Sequence, residues 1–291
     1  MREIRWVVFQ QFVVVGDDQQ AHLLVTDIGD RLKNVPLVIV GAGPSLEKNI
    51  DQLREARDKV IILAVNRTLR SLQNAGVVPD IVINLEPRDV LCQFEGIDLS
   101  GVAGLVLSVT SHPALFELNA PNLLCFSGNL EAEQWLFDPE DGVVEIPSGG
   151  SVSCSAMSLG LLWKCDPIIL VGQDLSFPGG AYYHSGGADG ATEAVYDESR
   201  KQWMLRGYSE DLAHTLRDEH GTNPIRFDGT EVPGYFGGRV PTSAAFASSS
   251  LVGQGRSILL PTHTMGNASG PSTRCRSSRR HNSTWEKVLK S

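Results

Sequence analysis

The apolar residues of this chain gather into short unbroken runs separated by longer polar stretches, which reads as strands alternating with helices. "LVIVG" at 37–41 is followed by Leu46, Ile50 and Leu53 at helical spacing, then "VIILAV" at 60–65, Leu69 and Leu72, and "DIVINL" at 80–85. "GLVLSV" at 104–109 and "NLLCF" at 122–126 continue the series. In "IPSGGSVSCSAMSLGLLWKCDPIILVGQDLSF", Val152, Ala156, Leu159 and Trp163 mark one helical face ahead of another apolar strand, "PIILVG". Strands spaced by helices of about 10 to 15 residues predict βαβ units, and hence an α/β fold with a mostly parallel sheet covered by helices on both faces.

Outside this series the pattern weakens. Residues 1–34 read as a strand-like run and a polar helix-like segment, expected to be the remnant of a preceding domain. Residues 35–247 hold the alternating pattern. Within them, 179–238 are rich in Gly, Tyr, His and Asp with little periodicity, as in a long active-site loop or lid. Residues 248–291 are rich in Ser, Thr, Gly and Arg and read as a disordered tail. Six Lys or Arg stand against one Glu in its last 19 residues. The abruptness of that change also fits a second reading, a shift of reading frame near residue 247.

Composition narrows the function. The 291 residues are 42% hydrophobic and 20% charged, with a formal net charge of -9. An acidic chain without clustered Lys and Arg is not expected to bind nucleic acid, because phosphate contacts need such clusters. Five cysteines without a CxxC pair suggest neither a disulfide framework nor a zinc site, which fits a reducing, cytoplasmic setting. No apolar run reaches the roughly 20 residues of a membrane span, and no signal peptide is read.

The chemistry gathers at strand ends and helix starts. In "GAGPSLEKNI", Gly41 and Gly43 allow a tight turn and close approach, Pro44 suits a first helical turn, and Ser45 offers a hydroxyl to free N–H groups or to a phosphate. The spacing is neither the dinucleotide fingerprint nor a Walker A loop. Asn66, Asn84 and Glu86 end the next strands, where a parallel sheet ordinarily binds its ligand. Ser148, Gly149, Gly150 and Ser151 repeat the small-residue logic at a helix start, suited to a ribose, phosphate or carboxylate. Gly172 and Asp174 end the last strong strand, with no second carboxylate at DxD spacing for a metal site. Each of these has an ordinary structural explanation as a turn or cap. His184, beside Tyr182 and Tyr183 in a Gly-rich loop, is the most suggestive single residue. A histidine takes up a proton near neutral pH, and tyrosines donate hydrogen bonds to a departing phosphate.

In order, "GAGPSLEKNI", "AVNRTLRSLQNAGVVPDIVINLEP", "GGSVSCSAMSLGLLWKCDPIILVGQDLSF", "HSGG" and "GYFGGRVPTS" resemble the motility accessory factor family, proteins linked to flagellin glycosylation. That family's domain is also named for its similarity to archaeal 6-hydroxymethylpterin diphosphokinase. The resemblance runs from roughly Val35 to Phe246. It extends to bacterial sialyltransferases that use CMP-activated sugars, and it implies a Rossmann-like sheet with a lid-like region. Their nucleotide turn corresponds to Gly41, Gly43, Pro44 and Ser45, and the following strand-end Asn to Asn66. Their small-residue stretch corresponds to Ser148–Ser151, their Gly-x-Asp to Gly172 and Asp174, and their catalytic His to His184. Where they carry a Tyr after the strand this chain has Phe177, which leaves Tyr182 or Tyr183 to meet the phosphate.

The resemblance implies metal-independent, inverting transfer of a CMP-activated nonulosonic sugar to Ser or Thr of flagellin or another protein, with His184 as general base and no prosthetic group. Two alternatives stand beside it. One is ATP- and Mg2+-dependent pyrophosphate transfer to a pterin, using Glu86, Asp89 and Asp174. The other is a non-catalytic protein that binds a nucleotide sugar or flagellin.

Overall fold

Each apolar run from Leu37 onward becomes a strand of one sheet. The computed structural model describes residues 23–26, 28–128, 133, 143–147, 151–187, 189–208, 226–233, 238–243 and 246. The sheet is built from β1 (Leu23–Leu24), β2 (Leu37–Val40), β3 (Ile61–Val65), β4 (Ile81–Asn84), β5 (Gly104–Ser108), β6 (Leu123–Phe126) and β7 (Ile168–Val171). Their order is β1-β6-β5-β4-β3-β2-β7, and every pair is parallel. This is the α/β, Rossmann-like architecture expected.

The strands are apolar throughout because both faces are covered. In β2, Leu37 and Ile39 enter the core beneath α4 (Val152–Leu162), whereas Val38 and Val40 enter the core of the opposite face. Leu63 and Val65 of β3 follow the first pair, and Ile62 and Ala64 the second, as the two-residue period of a strand requires. Trp163, fully buried at the end of α4, and Met157 fill the α4 side. Leu53 of α2 (Ile50–Ala56) and Leu72 of α3 (Leu69–Asn74) fill the other. A short α1 (Gly29–Leu32) precedes β2.

Two expectations need revision. Residues 23–34 are not separate from the sheet: β1 pairs with β6, and Val25 is fully buried. The Val25 carbonyl accepts a hydrogen bond from Trp163 Nε1 at 2.6 Å. A two-residue strand is too short to leave a periodic signature. Nor are residues 179–238 simply loop. Within them β8 (Glu193–Asp197), β9 (Gln202–Arg206) and β10 (Arg226–Phe227) form an antiparallel sheet, and β11 (Gly229–Pro233) pairs with β12 (Arg239–Ser243), which follows directly after them. These strands carry mixed polar and apolar residues because much of their surface is exposed. β12 is tied to the exit of β7: the Phe177 N–H donates to the Pro241 carbonyl at 2.7 Å, and Thr242 Oγ1 to the Leu175 carbonyl at 2.6 Å. The 248–291 tail and residues 1–22 lie outside the described residues. Among the described residues no helix is long and apolar enough to cross a membrane.

Candidate functional site

The chain builds β2 to β6 outward in one direction and then places β7 on the other side of β2. Crevices at such a reversal, at the carboxyl ends of the strands, are where open α/β sheets bind ligands. The opening glycine turn sits at this point, and the structure gives its glycines a specific reason. The Gly41 N–H donates to the Val171 carbonyl and the Gly43 N–H to that of Gly172, at 2.8 and 2.9 Å. A Cβ on Gly41 would stand 2.6 Å from the Gly172 oxygen, and one on Gly43 would stand 2.1 Å from Asp174 Oδ2. Gly172 itself has φ +67. The close approach that these glycines permit is therefore to the β7 exit.

The same contact engages Ser45. Pro44 opens a 3₁₀ turn, Pro44–Lys48, and Ser45 donates to Asp174 Oδ2 from both its backbone N–H (2.9 Å) and its hydroxyl (2.8 Å). The negative group that a helical N-terminus attracts is thus supplied by Asp174 from within the chain. Burial pushes the Asp174 carboxyl above its ordinary value, and the two Ser45 bonds pull it back in part.

Beside this contact lies a cavity of about 380 Å³. Gly43, Gly172 and Asp174 form one side, with Gln173 between the last two. Asn66, which donates to Gln93 Oε1 at 2.5 Å, and Arg67 enter from the end of β3. Glu86 enters from beyond β4 and Ser151 from the start of α4. Ser151 caps that helix, its Oγ accepting the Cys154 N–H at 3.3 Å. Gly41, Pro44 and Ser45 stand behind the wall. Asn84 is also set back: it is fully buried, its Oδ1 accepts the Glu86 N–H at 2.8 Å, and its Nδ2 has no acceptor among the described residues. Ser148, Gly149 and Gly150 lie outside the described residues.

An aromatic group closes the cavity. Tyr182 stacks on the fully buried Phe177, with ring centroids 4.7 Å apart, and meets Tyr183 edge-on at 4.6 Å. Tyr182, Tyr183 and Phe246 all line the space. Burial pushes both tyrosine hydroxyls up, so they remain protonated donors. Phe177, which stands where the resemblance expects a tyrosine, is thus the packing partner that holds Tyr182.

His184 departs from the expectation. It does not line the cavity; its ring turns toward α3. Nδ1 accepts the Gly186 N–H at 3.1 Å and lies 3.0 Å from Ser71 Oγ, while the His184 N–H donates to the Ala42 carbonyl at 2.9 Å. With Nδ1 accepting, the neutral ring carries its proton on Nε2, where it is a donor rather than a base. Burial holds its pKa below the ordinary histidine value, partly offset by Glu47.

Sequence reading gave no role to Arg67, Gln93, Gln173 and Asp189. Arg67 Nη1 pairs with Asp189, and its guanidinium lies 4.8 Å over the Tyr183 ring. Gln173 is 9% exposed, and its Nε2 has no acceptor among the described residues. Arg67 and Gln173 flank residues already singled out, Asn66 and Asp174, which was the one available signal.

Comparisons with known proteins agree with this architecture. The structure of MAf glycosyltransferase from Magnetospirillum magneticum AMB-1 superposes with a TM-score of 0.52 at 17% identity, over 81% of this chain, which shows a shared fold. This chain spans 36% of the length of that one. An uncharacterized protein of Treponema pallidum (strain Nichols) is 39% identical over 51 residues, 18% of this chain and 24% of the relative. A family model described as 6-hydroxymethylpterin diphosphokinase MptE-like matches residues 18–180. That span starts ahead of β1 and ends beyond β7, so it takes in the parallel sheet and the Gly41–Gly43 turn at the point where its order reverses. With more than half of its length matched, the chain belongs to the 6-hydroxymethylpterin diphosphokinase MptE-like family.

Proposed function

We propose that the cavity binds a CMP-activated nonulosonic sugar and that the chain acts as a glycosyltransferase toward Ser or Thr hydroxyls of flagellin or a similar protein. The observation that carries this reading is the meeting of Asn66, Glu86, Ser151, Tyr182 and Tyr183 around one cavity at the β2/β7 reversal. The volume suits a nucleotide-sized ligand, since small-molecule sites begin at about 300 Å³. The shared fold with a protein called a glycosyltransferase supports the same reading. Two protonated tyrosine hydroxyls at the wall suit a leaving phosphate, whose charge grows as the glycosidic bond breaks. His184 contributes by fixing the loop that carries them. For it to accept a proton at Nε2, the ring would have to carry its proton on Nδ1, against the Gly186 N–H.

The family's name favours a second reading, pyrophosphate transfer from ATP to a pterin. Two of its three carboxylates already accept hydrogen bonds from the chain, Asp174 Oδ2 from Ser45 and Asp89 Oδ1 from the Leu91 N–H at 3.0 Å, and Asp89 does not line the cavity with Glu86 and Asp174. Among the described residues no three His, Cys, Asp or Glu side chains gather as a metal set. Thermal melting with CMP, CMP-sugars, ATP with Mg2+, and pterins separates the readings. We expect CMP and CMP-sugars to raise the midpoint. A rise with ATP, Mg2+ and pterin but not with CMP would overturn the proposal in favour of the second reading. CMP-sugar binding with no transfer to any protein hydroxyl would reduce it to a binding role.

A further inference from the structure

Arg67 is the one Lys or Arg side chain among the described residues that line the cavity. It faces the same space as Glu86 and Asp174, so the wall is not generally cationic. Its position is held from two sides: Nη1 pairs with the buried Asp189, and the guanidinium plane lies over the Tyr183 ring. The Arg67 side chain is 18% exposed and that of Asp189 4%. Side-chain freedom, the usual cost of using an arginine to hold a ligand, has therefore already been removed. A guanidinium has five N–H donors, and the contact with Asp189 runs through Nη1, so donors remain for a second anion.

We infer that Arg67 is the anion contact of this cavity, donating to the phosphate of a nucleoside monophosphate, and that Asp189 and Tyr183 are the positioning residues that aim it. This rests on the nucleotide reading above and deepens it. A single cation opposite two wall carboxylates fits one phosphate carried on a nucleoside; a polyphosphate would bring excess negative charge to the same wall. Discrimination would lie in the phosphate: the site should prefer CMP over cytidine, and Arg67 should account for the preference.

The test is titration calorimetry of the full chain and its variants with CMP and with cytidine. The wild-type protein is expected to bind CMP about tenfold or more tightly than cytidine, the range of one charge-assisted hydrogen bond, and to lose part of that advantage at high salt. Arg67→Gln should cut that preference severalfold, the tyrosine hydroxyls keeping a remainder, and the loss should appear in CMP affinity rather than in cytidine affinity. Arg67→Lys, which keeps the charge but not the fork, should fall between. Asp189→Asn should weaken CMP but not cytidine. If Arg67→Gln fails to fold because the buried Asp189 has lost the Arg67 charge, the double variant Arg67→Gln, Asp189→Asn removes both charges and gives the same reading. An undiminished preference for CMP in a folded Arg67 variant would overturn the inference and leave the nucleotide reading intact. A wild-type protein that binds neither compound would overturn the nucleotide reading, and the inference with it.

Discussion

Single residues at the β2/β7 crossing answer to geometry before chemistry. Gly43 is needed because Asp174 and the Gly172 carbonyl occupy the space its side chain would take, 2.1 and 2.7 Å from the Cβ position. Gly43→Ala should cost about 1–3 kcal/mol in urea unfolding, as overpacking of a tight contact does. His184 answers to its partners in the same way. Its folded pKa is held below the free value of 6.5, so the unfolded chain binds the proton more readily. The stability His184 contributes is therefore full above pH 6.5 and is lost as pH falls toward the lower folded value. Urea midpoints of the wild-type protein should fall through that window more steeply than those of His184→Gln. Equal slopes would show that the Gly186 and Ser71 contacts do not depend on a neutral ring. The glycines and the histidine were visible in the sequence as residue types, but their partners were not, because Gly172, Asp174 and Ser71 lie far from them along the chain.

At the scale of elements, the six strands from Leu37 to Val171 were legible because a strand buried on both faces must be apolar at nearly every position. The flanking elements were not. β1 offers only two residues, and its attachment depends on Trp163, well over a hundred residues away, whose indole N–H meets the Val25 carbonyl. Trp163→Phe keeps the ring packing and removes that bond. It should leave a buried carbonyl unpaired and lower stability by about 1–3 kcal/mol, with amide exchange rising first in residues 23–26. Exchange that rose equally across the parallel sheet would mean that β1 has no separate dependence on this bond. The antiparallel strands were hidden for a different reason: they are half-exposed, and their alternation is blurred by residues such as Glu193, Gln202 and Arg206, all at strand ends.

Across the whole molecule, the cavity belongs to no one element. The parallel sheet supplies its floor, α4 one side, and the loop with Tyr182 and Tyr183 its cover, steadied by Phe177 and by β12 through Pro241 and Thr242. A ligand held there binds the folded state alone. At a concentration about a hundred times its dissociation constant it should add about 2.7 kcal/mol of stability. CMP is expected to do this in the melting experiment, and a pterin is not.

The sequence by itself determined the alternation of elements, the parallel sheet and the strand ends where Asn66, Glu86, Gly172 and Asp174 stand, because burial and turn chemistry act on neighbours a few residues apart. Only the tertiary structure decided which of these face the cavity. It tied Asp174 in the wall to the Ser45 turn, set Asn84 and His184 behind the wall, and brought forward Arg67 and Gln173, to which their motifs had given no role. The physical reason is that a side chain's role at a strand end depends on what the next strand over presents to it, and the order β3-β2-β7 seats β7 beside β2, its neighbour in space but distant in sequence.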